Sequence, residues 1–316
     1  MRRVLAVLMA LAVPAAVFAQ AWPSRPIVLI APSTPGSAPD VLARVVAEKL
    51  SDLLRQPVTV MNRPGAGTNI GTQTVVQSAP DGYTVLLGSI ANTLNPHIMS
   101  KVGWRMEDLA AVSSVAAAPD VLVVHPSVAA HSVGELLALL KSRPGTFAGH
   151  AGVGTTPHLS LEVLRRLAGV DVTSVPFKGG GEAQQGILGG QVAFMFSTSI
   201  GILPRVRSGQ LRALAVSSAQ RIAAAPEIPT LAEAGLPGFD VVAWFGLFVP
   251  GATPASAVDR LSEETRRALA APEVRKRLID LGAEPLGSTP AEFGAYVAAE
   301  FQRWGRVARE ANIRLD

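Results

Sequence analysis

The sequence predicts an α/β protein of two lobes, each a mostly parallel sheet flanked by helices. Three observations carry that expectation. A unit of apolar strand, small-residue loop and amphipathic helix recurs, in "IVLIAPSTPGSAPDVLARVVAEKL", "PVTVMNRPGAGTNIGTQTVVQSA" and "TFAGHAGVGTTPHLSLEVLRRLAG". Strands alternating with helical patterns give parallel sheets covered by helices. The chain of 316 residues is also too long for one ordinary domain. No low-complexity linker divides it, so two lobes joined by strand-like crossings fit better than beads on a string.

The elements follow in order. Residues 1–21 place Arg2 and Arg3 ahead of an apolar stretch from Val4 to Phe18, interrupted by Pro14, with small residues that allow cleavage after Ala19 or Ala21. That is the layout of a secretory signal. A membrane anchor needs about 20 apolar residues, and this stretch is shorter and carries a proline. Ile27 to Ala31 then read as a strand. A Pro/Gly/Ser loop leads into a helix from near Asp40, with apolar residues at Val41, Leu42, Val45, Val46 and Leu50. After the second unit come the strands "YTVLLGS" and "DVLVVHP". A helix follows at "SVGELLALLKS", where Ser132 and Glu135 have capping-box spacing and Pro144-Gly145 ends the run. "VAFMFSTS", "LRALAVSS" and "AWFGLFVP" are strand-like. Helices close the chain from about Thr253, around Glu273, and from Thr289, where Pro290 and Glu292 complete a start signal. Crossings near Val121 to Val124 and near Phe239 to Ala243 assign residues 22–123 with 241–316 to one lobe and 124–240 to the other.

Composition narrows the function classes. The chain has no cysteine, so no thiol nucleophile, disulfide or lipid-attachment cysteine is available. A fold of this length can bury enough surface without covalent staples. Loss of Arg2 and Arg3 with the leader, which holds no acid, lowers the formal net charge from +4 to +2. Arginines spread along helices read as solvated faces, and no interleaved aromatic and basic run suggests nucleic acid. There is no G-x-S-x-G elbow, H-E-x-x-H or P-loop lysine motif. His97, His125 and His131 are scattered and suggest no metal cluster. His150 and His158 flank the "AGVGTTP" loop as candidates for acid–base work, although a His at a helix start more often packs or hydrogen-bonds. The expectation is a non-enzyme without cofactor or metal.

The glycine loops are the informative feature. At the carboxyl end of a parallel strand, the next helix presents unpaired N–H groups and the positive end of its dipole, which favour an anion. Gly65, Gly67 and Gly71 are spaced one residue too wide for the dinucleotide fingerprint G-x-G-x-x-G. Any single loop is equally read as a tight turn. Two such loops in the first lobe facing one in the second would grip a small carboxylate across a cleft without a buried arginine.

Through "WPSRPIVLIAPSTPGSAPDVLAR", "NRPGAGTNIGT", "APDGYTVLLGS", "ANTLNPH", "GVGTTPHLSLE", "VPFKGGGEAQQGILGGQVAFMF" and "WFGLFVPGATP", the chain resembles the substrate-binding proteins of tripartite tricarboxylate transporters, the Bug family. The resemblance runs in unbroken order through the mature chain. It implies a type II periplasmic binding protein of Venus-flytrap architecture that captures a small organic acid. The protein would deliver it, as a monomer, to the membrane subunits of a tripartite transporter or, alternatively, to a sensor kinase.

The resemblance also implies site residues. The family's first loop falls on Pro32 to Gly36 and then Ser37, taking in Ser33 and Thr34, with Asp40 matching the family's acid; backbone groups and bridging waters there hold a ligand carboxylate. Ser33 stands where an aromatic is usual and Ser37 where a second glycine is usual, which makes this wall smaller and more polar. The second loop matches at Gly65, Ala66, Gly67, Asn69, Ile70 and Gly71, with Thr68 where glycine is common. Ser89 and Asn92 follow at the next strand end and loop. The second lobe contributes Gly154, Thr155, Thr156 and His158. Ser197-Thr198 stand where many members carry Asp-Asn, and two hydroxyls cannot pair with a ligand ammonium, so a plain mono- or dicarboxylate is expected.

Overall fold

The computed structural model describes residues 22–310; the leader expected at 1–21 lies outside them. In chain order the elements are β1 (Ile27–Ala31), α1 (Ala38–Leu54), β2 (Val58–Asn62), α2 (Asn69–Val76), β3 (Thr84–Ser89), α3 (Ile90–Ile98), β4 (Leu109–Val124) and α4 (Val133–Ser142). Then come β5 (Thr146–His150), α5 (Thr156–Ala168), β6 (Val172–Pro176), α6 (Gly180–Leu188), β7 (Phe194–Thr198), α7 (Ser199–Arg207) and β8 (Arg212–Val216). The chain continues through β9 (Val242–Pro250), α8 (Ala255–Ala270), α9 (Pro272–Asp280), β10 (Glu284–Pro285) and α10 (Pro290–Glu310).

β1 pairs in parallel with β2 and β3, and β5 does the same with β6 and β7. The crossing strands β4 and β9 add antiparallel ladders to both groups. Each parallel strand therefore ends where the next helix begins, and the two sets of strand ends face one another. α1 shows how the sequence builds this. Pro39 sits at its second position, Arg55 ends it in the left-handed conformation, and Leu42, Val46 and Leu50 form a buried stripe. Burying each such side chain contributes about 1.5–3 kcal/mol.

β4 is longer than the run "DVLVVHP" suggests, because its Ala- and Ser-rich first half carries little strand propensity. Pairing with β9 overrides that: the ladder runs from Leu109 opposite Pro250 to Pro119 opposite Val242, with two bulges. At the next residue the partner changes, and Asp120 faces Thr198 of β7. Pro119 thus sits at the point where β4 passes from one sheet to the other. α3 and α7 also lacked a sequence signal, since each carries a proline inside, Pro96 and Pro204. Asn92 accordingly lies in the first turn of a helix, not in a loop.

Each lobe has its own apolar core on both sheet faces. α7 links them: it begins at the crossing, Ile200 packs into the first-lobe core, and Ser199 Oγ donates to the Gly282 carbonyl at 2.9 Å. The lobes are closed on each other. A Cβ built on Gly67 would overlap the Val153 carbonyl oxygen, one on Gly181 the Pro35 carbonyl, and one on Gly154 the Asn95 side chain. Closure also brings the Thr34 hydroxyl to accept from the Glu182 N–H at 3.3 Å.

Candidate functional site

Between the closed lobes lies a cavity of about 50 Å³ whose lining carries no charged side chain. Six helices start at its wall. Ser37 precedes α1, Thr68 precedes α2, Ser89 precedes α3, Thr155 precedes α5, Gly180 opens α6 and Thr198 precedes α7, and all six residues line the cavity. Each helix start offers unpaired N–H groups and about half a positive charge. Apolar residues, among them Pro32, Ala151 and Phe245, line the remaining wall.

The hydroxyls differ in what they already do. Ser37 Oγ and Thr68 Oγ1 are buried and have no protein partner. A buried unpaired hydroxyl costs about 1–3 kcal/mol, and both sit on the cavity wall, where a solute oxygen would satisfy them. Thr68 is held at φ 81°, a left-handed conformation that a β-branched residue rarely adopts. Ser89 caps α3 in a reciprocal box, in which its N–H donates to Asn92 Oδ1 at 2.9 Å. Thr155 Oγ1 donates to the Gly152 carbonyl at 2.6 Å, and Thr198 Oγ1 donates to Asp120 at 2.9 Å.

The residues expected from sequence therefore divide. Ser33, Ser37, Thr68, Ser89, Thr155, Thr156, Ser197 and Thr198 meet at the cavity. Thr34, Gly36, Asp40, Gly67, Asn69, Asn92, Gly154 and His158 do not line it and act behind it. Asp40 Oδ2 accepts the Gly36 N–H at 2.9 Å, while Oδ1 accepts from Arg44 and Asn62 at 3.0 Å each. Burial would raise the Asp40 carboxyl, but the bonds from Arg44, Gly36 and Asn62 outweigh it and hold it below the usual carboxylate range. Its negative charge faces its own loop. Asn69 Oδ1 accepts from Trp104 Nε1 at 3.1 Å and so fixes the start of α2. Asn92 Nδ2 donates to Thr72 at 2.9 Å. Gly67 and Gly154 allow the lobes to approach.

His158 and His150 form a buried pair with ring centroids 4.5 Å apart. Their Nδ1 atoms accept the N–H groups of Gly154 and Gly152 at 3.3 and 3.2 Å, which leaves the imidazole proton on Nε2. Burial, with His158 beside it, pushes His150 down to about 3, and burial also lowers His158. Both rings are neutral clamps on the "AGVGTTP" loop. Sequence reasoning placed Asp120 at the start of the strand "DVLVVHP" and gave it no role in the site; only the strand register places it behind Thr198. A larger groove of about 630 Å³, on the second lobe, gathers only the start of α4, where Ser132 Oγ is already engaged by the Glu135 N–H.

The described residues contain no cluster of three or more His, Asp or Glu able to hold a metal, and no helix long and apolar enough to cross a membrane. The arrangement suits an anion held by backbone N–H groups and hydroxyls. Comparison with known proteins agrees. Protein BugT of Bordetella pertussis is 40% identical over 311 residues, 96% of this chain and 94% of its own. The solved periplasmic binding protein BugD is 30% identical with a TM-score of 0.89, over 93% of this chain and 99% of its own. An R. palustris protein solved with adipate is 33% identical with a TM-score of 0.89, over 93% and 99%. MatC of Rhodopseudomonas palustris, solved with bound malate, is 32% identical with a TM-score of 0.83, over 90% and 99%. The sequence pattern of the tripartite tricarboxylate transporter family receptor matches residues 42–313, and the chain belongs to that family, the Bug periplasmic binding proteins.

Proposed function

We propose that this protein is exported through its leader, captures a short organic carboxylate between its lobes, and presents it in closed form to the membrane subunits of a tripartite transporter without chemically altering it. We divide the lobes as the sequence suggests, 22–123 with 241–316 against 124–240. The observation that carries the reading is the convergence of six helix N-termini on an uncharged cavity between the lobes with two unpartnered hydroxyls. Such a site stabilises negative charge by oriented dipoles and needs no counter-ion. Relatives solved with adipate and malate support a carboxylate.

The lining sharpens the class. Ser197 and Thr198 offer no charge for an ammonium group, so an α-amino acid is disfavoured.

The test is mass spectrometry of small molecules released from freshly purified mature protein, followed by a melting screen of carboxylates graded by chain length. Release of one short acid per protein, with a melting shift that grows with its concentration, is the expected result. Tight binding of an α-amino acid but not of its deaminated analogue would overturn the ligand class. Failure of every carboxylate to shift melting would overturn capture itself.

A further inference from the structure

Asp120 is fully buried where β4 leaves the β9 ladder and joins β7. Ser160 Oγ donates to its Oδ2 at 2.8 Å and Thr198 Oγ1 to its Oδ1 at 2.9 Å. Among the described residues no cation bonds to it. Thr198 also lines the ligand cavity, so one hydroxyl joins the buried carboxyl to the site. A hydroxyl has a single proton to donate. While Asp120 is ionised, Thr198 directs that proton away from the cavity, and a negative charge stands behind the wall. When Asp120 is neutral, its own proton bonds to Thr198 Oγ1, and the Thr198 O–H turns to donate into the cavity.

We propose that Asp120 is a proton-binding positioning residue: closure on a carboxylate takes one proton from solvent onto Asp120, which frees the Thr198 hydroxyl to donate to the ligand. The ligand itself gains and loses no proton. This inference rests on the carboxylate reading of the cavity.

Burial raises Asp120 to about 7, with the Ser160 and Thr198 hydroxyls pulling against it, so both forms are accessible near neutral pH. Charged and titratable groups on the surrounding elements are His150 at the end of β5, His158, Glu162, Arg165 and Arg166 on α5, Glu182 on α6, Arg205 and Arg207 on α7, Arg212 on β8, and Glu284 on β10. β7 and β9 carry none. None of these groups contributes to the state of Asp120, and both histidines are lowered by burial. Proton linkage near neutral pH therefore falls to Asp120.

The experiment is calorimetric titration of succinate, malate and adipate into the full mature protein between about pH 6.5 and 9, in phosphate and in Tris, whose ionisation heats differ. Binding is expected to take up nearly one proton at the alkaline end, with affinity falling about tenfold per pH unit there. Asp120→Asn keeps an acceptor for Ser160 and supplies a donor to Thr198, so it should bind without proton uptake and with one affinity across the range. Thr198→Val should weaken binding at the acidic end and leave the alkaline affinity close to that of the wild type; it serves also if Asp120→Asn does not fold. Equal affinity at every pH with no proton uptake would overturn the role of Asp120 and leave carboxylate capture standing. Absence of binding by all three acids at every pH would remove capture, and this inference with it.

Discussion

The two walls of the cavity are built from the same parts and differ in what those parts are free to do. On the first-lobe wall, Ser37 and Thr68 stand at helix starts with unpartnered hydroxyls. On the second-lobe wall, Thr155 and Thr198 stand at equivalent places, but their protons are committed to Gly152 and Asp120. In the proposed function the first lobe is the anion seat and the second the lid that closes over it, since closing excludes water and strengthens each polar contact.

Blocking the lid should have the largest effect. Gly181→Ala and Gly67→Asp place atoms where the Pro35 and Val153 carbonyls sit in the closed form. Each should hold the lobes apart and weaken ligand binding by about 100-fold or more, equivalent to ~2.7 kcal/mol, while the protein still folds. Small-angle scattering with and without ligand would read the failure to compact. A normally closing Gly181→Ala protein would show that the lobe contact is not needed.

Ser37→Ala and Thr68→Val remove free donors and should each cost about tenfold in affinity, near 1–1.5 kcal/mol. Thr155→Val, whose proton is already committed, should cost less than Ser37→Ala in the same calorimetric series. Equal losses would erase the distinction between the walls.

Stability against pH sharpens the comparison further. His150 lies lower folded, at about 3, than its ordinary 6.5. The unfolded chain binds the extra proton between these values, so stability falls as pH drops from 6.5 toward 3. Asp120 lies higher folded, at about 7, than its ordinary 3.8. The folded chain then binds the extra proton, and stability falls as pH rises from 3.8 to 7. Asp120→Asn removes the second loss and should raise the melting temperature at pH 8 by a few degrees relative to the wild type. An unchanged melting temperature at that pH would mean that Asp120 carries no buried charge.

The smallest effect concerns the strained seat. Thr68→Gly relieves the left-handed backbone and should stabilise the ligand-free protein by about 1 kcal/mol, seen as a higher denaturant midpoint, while weakening ligand binding. Gain in both would mean that Thr68 is not part of the seat.

Much of this was legible in the residues because it depends on neighbours along the chain. Apolar periodicity marked β1, α1 and α4, and the small-residue loops marked the helix starts whose exposed N–H groups form the seat. The motifs in unbroken order marked the family. The first half of β4 and the helices α3 and α7 were not legible. Their Ala-rich or proline-containing segments have weak local preference, and pairing with β9 or packing across the crossing overrides it.

What the sequence by itself determined is the set of hydroxyl and glycine residues at helix starts, since capping and loop geometry are local. Only the tertiary structure decided which of them face the cavity. Asp40 and His158 turn out to brace loops, because their hydrogen-bond partners reach them from beside and behind the cavity wall. Asp120 came to lie behind the cavity wall through strand register alone, which placed a carboxyl 78 residues away in sequence against Thr198.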